Sequence, residues 1–130
     1  MNAQSDIIPK TIDETNFSYF VSGKNEAPLL IFAHPAYADH RVFNAQVDFF
    51  SKNFRVVTFD LIGHGLSQPK DAKIKIDQTA HYINELMQNE GYDKAHFVGV
   101  SLGSLIIQHF RDLHPEKVSS LSIVGGYDIH

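Results

Sequence analysis

Gly99-Val100-Ser101-Leu102-Gly103 places a hydroxyl between two glycines, where a short apolar run gives way to a helical period. A strand turning this sharply into a helix needs nearly side-chain-free flanks, and it leaves the serine hydroxyl bare on strained backbone above a sheet. That is the placement a nucleophile requires. The helix starting beside Ser101 would aim its positive dipole end, and the free N–H of Leu102, at an oxyanion forming there. A second donor should come from a neighbouring strand end, and Phe32-Ala33-His34-Pro35-Ala36-Tyr37 follows an apolar run in that position. Pro35 cannot donate, so Ala36 is the expected second donor. Ser101, Leu102 and Ala36 are thus the candidate catalytic residues, and Ala36, Tyr37 and Leu102 the candidate substrate contacts. The plainer alternative is a tight turn whose serine merely caps the helix. His34 is expected to be a packed strand-end residue whose ring orders the loop. It has no spaced partner ligands, and no metal site is expected.

A third constellation is Asp60-Leu61-Ile62-Gly63-His64-Gly65-Leu66-Ser67, after another apolar run. Its glycines permit a turn, and Asp60 and Ser67 can hydrogen-bond backbone groups, so a structural role is expected, with His64 a lesser catalytic candidate. Read as a dinucleotide fingerprint, Gly63-His64-Gly65 has Gln68 where a third glycine is needed, and Pro69 follows at once. No nucleotide or other cofactor is expected.

These motifs need a scaffold. Leu29 to Ala33, Val56 to Phe59 and Ala95 to Val100 do not alternate, as strands buried on both faces read. Val118 to Val124 alternates in part and suggests a strand nearer the edge. Between them the period becomes helical: Phe43, Val47 and Phe50 after a cap at Asp39, then Ala80, Ile83 and Met87 after Asp77 with Gly91 as a stop. Leu102, Leu105, Ile106, Phe110 and Leu113 then form a stripe closed by His114-Pro115. The order from residue 29 is β, α, β, α, β, α, β, which predicts a mostly parallel sheet with helices on both faces. Phe17, Tyr19 and Val21 alternate before the turn at Ser22-Gly23 and fit an antiparallel strand or hairpin on one edge.

Together the three motifs, in this order, make the chain similar to the α/β-hydrolase superfamily, in its single-domain serine esterase and haloperoxidase-like branch. His34-Pro35-Ala36 stands where that family usually has His-Gly, Asp60 to Ser67 is a full DxxGHGxS, and Gly99 to Gly103 is its serine motif. The resemblance implies a serine hydrolase acting on an ester-like or other acyl bond of a small molecule. It also implies that residues 1–130 are the amino-terminal part of one such domain, ending after the sixth strand. The family's triad runs serine, acid, histidine in chain order. After Ser101 come only His109, on the following helix, His114, at that helix's far end and more than two turns of helix from the serine, and the terminal His130. None is expected to serve as the base, and Asp128 is only a weak acid candidate. The chain is therefore expected to be nearly inert alone. The expected partners are its missing carboxyl-terminal half or a second copy, through an open sheet edge. The rival readings are a non-catalytic hydrolase-fold receptor or interaction module, and an enzyme split between two polypeptides.

Composition sets outer bounds. At 130 residues the chain is one domain or a piece of one, and the absence of cysteine excludes disulfides and thiolate chemistry. A formal charge of −4 with scattered lysines argues against a nucleic-acid partner. No 18-residue apolar run or basic, apolar leader is present, so a cytoplasmic chain without a membrane contact is the expectation.

Overall fold

Every residue of Leu29–Ala33 is buried, which demands cover on both faces of the sheet, and the computed structural model supplies it. The structure describes residues 9–12, 17–67 and 75–126. Six strands form one sheet in the order β1-β2-β4-β3-β5-β6. The three runs predicted as central strands are its centre: β3 (Leu29–Ala33) lies between β4 (Arg55–Asp60) and β5 (Ala95–Val100), parallel to both, although β5 is fully buried only at alternate residues. β6 (Val118–Val124) runs parallel beside β5. At the opposite end β2 (Phe17–Gly23) pairs antiparallel with β4, and β1 (Lys10–Ile12) antiparallel with β2, as the early alternation predicts.

Side chains alternate across β3, and the two faces are filled by different helices. Leu30 and Phe32 join Val56 under α1 (Asn44–Phe50), which contributes Val47 and Phe50. Ile31 faces the larger core with Val57, Phe59 and Phe97, covered by α2 (Ile76–Glu90) and α3 (Leu102–Leu113) through Ile83, Leu86, Met87, Ile106, Ile107 and Phe110. Each such side chain, fully buried, contributes about 1.5–3 kcal/mol. Asp39 is a cap, as expected: its carboxylate accepts from the Arg41 N–H at 2.9 Å and opens a 3-10 turn, His40–Phe43, that leads into α1. Gly91 ends α2 in the left-handed conformation, φ 79°.

Three sequence expectations need adjustment. Asp77 lies in the first turn of α2, whose cap position is Lys75. There its carboxylate complements the helix dipole and meets His109 of α3 at 2.5 Å. On α3 the buried face is Gly103, Ile106, Ile107 and Phe110, so Leu105 is half-buried and Leu113 is 51% exposed. The helix is rotated because Gly103 takes the position of closest approach to the sheet. In β6 the pairing slips, Val118 opposing Ala95 and Ser120 opposing His96. This bulge at Ser119 brings Val118 and Leu121, three residues apart, onto the same core.

Candidate active site

No loop separates β5 from α3: Val100 ends the strand, Leu102 begins the helix, and Ser101 is the whole turn. Ser101 has φ 52° and ψ −114° and an exposed side chain that makes no capping hydrogen bond to α3. A positive φ in a non-glycine residue costs about 1–3 kcal/mol and persists only where the surroundings enforce it. The Ser101 N–H donates to the Val124 carbonyl at 3.1 Å. The Ser101 carbonyl accepts from the Ser104 N–H at 2.9 Å and the Ser104 hydroxyl at 2.5 Å. Both flanking glycines are sterically required. A Cβ on Gly103 would lie 2.1 Å from the Ala33 carbonyl oxygen, and one on Gly99 would lie 2.7 Å from the Gly103 oxygen. Leu102 packs its side chain against the larger core, while its N–H, at the first position of α3, has no carbonyl one turn back to bond.

Because Gly103 rests on Ala33, the start of α3 abuts the end of β3, where Ala33 pairs with Gly99. The loop carrying Ala36 therefore leaves the sheet beside the serine turn. Ala36 is exposed, and the Tyr37 ring is fully exposed on a backbone with φ 62°. Tyr37 lines an open cleft of about 900 Å³ with Asp39, Arg41, Val42 and His64; Ser101, Leu102 and Ala36 are not among its lining residues. Arg41 hydrogen-bonds the Asp39 carboxylate and pulls it down to about 2.

The expected structural roles of the other motifs hold in detail. His34 is completely buried; its Nδ1 lies 2.7 Å from the Pro35 carbonyl, and its Nε2 accepts the Leu61 N–H at 3.0 Å. Burial keeps its pKa below the usual 6.5. A buried base with a lowered pKa favours folding while neutral, so this contribution is complete above pH 6.5 and is lost as the pH falls from there through the folded value. Urea unfolding at pH 5 and pH 7 should therefore show a rise in stability with pH that shrinks in His34→Asn; an unchanged pH difference in that variant would contradict it.

Asp60 is also completely buried. One carboxylate oxygen accepts the His40 N–H and Nδ1–H, both at 2.8 Å, and the other accepts the Leu66 N–H at 2.8 Å. The Ser67 hydroxyl donates to the Asp60 carbonyl at 2.5 Å and accepts the Ser18 N–H at 2.9 Å, tying the motif to β2. Asp39, His40 and Asp60 bring potential ligand atoms within 4.8 Å of one another. The His40 nitrogen there carries its proton toward Asp60, which leaves no lone pair for a cation.

His40 and the partnership of His64 with Tyr37 were not legible in the sequence. Nothing in residue type or spacing announces them, although a buried Asp60 had to find donors. Asp128 and His130 lie outside the described residues.

With this geometry in view, residues 28–130 match the alpha/beta hydrolase fold family, and the chain belongs to it. Among curated proteins it is 29% identical over 105 residues to an uncharacterized carboxylesterase of Bacillus subtilis, covering 80% of this chain and 35% of that one. It is also 29% identical over 85 residues to 3-oxoadipate enol-lactonase 1 of Acinetobacter baylyi, covering 65% of this chain and 32% of that one. Among solved structures it superposes on naproxen esterase of Bacillus subtilis with a TM-score of 0.77 and 25% identity, covering 89% of this chain and 41% of that one. The chain thus spans about a third of the length of these curated relatives. Among the described residues, no helix is long and apolar enough to cross a membrane.

Proposed function

We propose that the chain carries the nucleophile and oxyanion hole of a serine hydrolase acting on an ester or lactone of a small molecule. The observation carrying this reading is the exposed Ser101, strained at φ 52° with no capping bond to its own helix. In the mechanism Ser101 attacks the carbonyl carbon, and the N–H groups of Leu102 and Ala36 hold the oxyanion. The alkoxide leaves with a proton, and water then releases the acyl group from the serine. The esterase and lactonase names of the relatives support ester-type substrates.

Among the described residues no imidazole hydrogen-bonds the Ser101 hydroxyl, and His109 is engaged by Asp77. In subtilisin, loss of the histidine lowers turnover about 10⁶-fold. The 130-residue chain should accordingly hydrolyse an activated ester no faster than its Ser101→Ala control. A fluorophosphonate probe should label Ser101 once a polypeptide supplying a histidine and an acid completes the site. Turnover by the chain alone that depends on Ser101 would overturn the first expectation. Absence of labelling in the completed protein would leave the non-catalytic receptor.

A further inference from the structure

The two loops at the strand ends of β3 and β4 are bridged twice, each time through an imidazole and each time backbone to backbone. His34 takes the Leu61 N–H on Nε2, so its proton is on Nδ1, which donates to the Pro35 carbonyl at 2.7 Å. His64 takes the Tyr37 N–H on Nε2 at 3.3 Å, and its Nδ1–H donates to the Ile62 carbonyl at 3.2 Å. The two rings lie 5.4 Å apart. The Pro35 carbonyl and the Ala36 N–H belong to one peptide plane. In a trans peptide they point in opposite directions, so a carbonyl drawn toward a completely buried ring turns the Ala36 N–H outward. The Tyr37 N–H belongs to the next plane. Each of the two peptides adjoining Ala36 is thus gripped by one histidine. The second grip matters because Tyr37 stands at φ 62° with its ring fully exposed, so no packing of that ring holds the strained backbone.

We infer that His34 and His64 are paired positioning residues that fix the Ala36 peptide as an oxyanion donor before substrate arrives. This rests on the proposed acyl-transfer reading, but its test does not need catalysis. In the 130-residue chain, ¹⁵N shifts of the two rings should show a pyridine-type Nε2 in both. The Tyr37 amide should exchange on the order of tenfold faster in His64→Ala and close to wild type in His64→Gln, whose side-chain oxygen replaces Nε2. His34→Asn, which keeps a donor for Pro35, should retain an ordered Ala36 amide by heteronuclear NOE, and His34→Ala should lose that order. Should His34→Ala fail to fold, the His64 pair still decides. A protonated Nε2 on either ring, or equal Tyr37 exchange in His64→Ala and wild type, would overturn the inference. Failure of fluorophosphonate labelling in the completed protein, with these signatures intact in the 130-residue chain, would instead condemn the serine reading.

Discussion

Gly103→Ala should destabilise the fold by about 3 kcal/mol or more, the upper range for forcing a methyl into a packed interior, and should displace the serine turn with it. The reason is the identity of the atoms in the way. The added Cβ would lie 2.1 Å from the Ala33 oxygen, 2.6 Å from the Ala33 carbonyl carbon and 2.9 Å from the His34 oxygen, all backbone of a central strand and its exit. No rotamer change relieves such a contact, so α3 must lift off the end of β3. Gly91→Ala is the natural control. Gly91 has φ 79° but open space around its Cβ position, so that substitution carries only the left-handed backbone cost of about 1–2 kcal/mol. Urea unfolding of the two variants separates contact from conformation. A Gly103→Ala protein no less stable than Gly91→Ala would refute the close approach of α3 to β3.

Asp60→Ala should be comparably severe, costing about 3–5 kcal/mol. Its carboxylate is completely buried and satisfies two backbone N–H groups and one imidazole N–H. Truncation would leave all three donors without an acceptor, at about 1–3 kcal/mol for each that water cannot reach. Asp60→Asn keeps one carbonyl oxygen for His40 and turns an NH₂ toward the Leu66 N–H, so its loss should be intermediate. The order wild type, Asn, Ala in urea midpoint is the expected result. An Asp60→Ala variant within 1 kcal/mol of wild type would show that the carboxylate is not what joins the turn after β4 to His40. Gly65 packs directly against this carboxylate, since a Cβ there would lie 2.3 Å from it.

The parts of this fold that could be read from sequence are those whose cause is local. β3 announces itself because burial on both faces removes polar residues from the run, β4 and β5 follow it with a single polar residue inside each run, and Gly91 ends α2 by a property of one residue. The face of α3 could not be read from its apolar stripe. Its centre is Gly103, which adds nothing to hydrophobicity and matters only because Ala33 lies against it. The motif residues around the serine were visible as types at fixed spacings. Their partners were not, because His40 with Asp60 and His64 with Tyr37 are joined across 20 and 27 residues by the topology of the sheet. The slip at Ser119 is likewise a product of pairing, and the sequence of β6 carries no sign of it.

The bond from the Ser101 amide to the Val124 carbonyl makes the outermost described strand part of the serine's own support. A displacement of that strand would be carried through this bond directly to the turn that holds Ser101. The margin of the sheet and the backbone of the serine turn are in this way one mechanical unit.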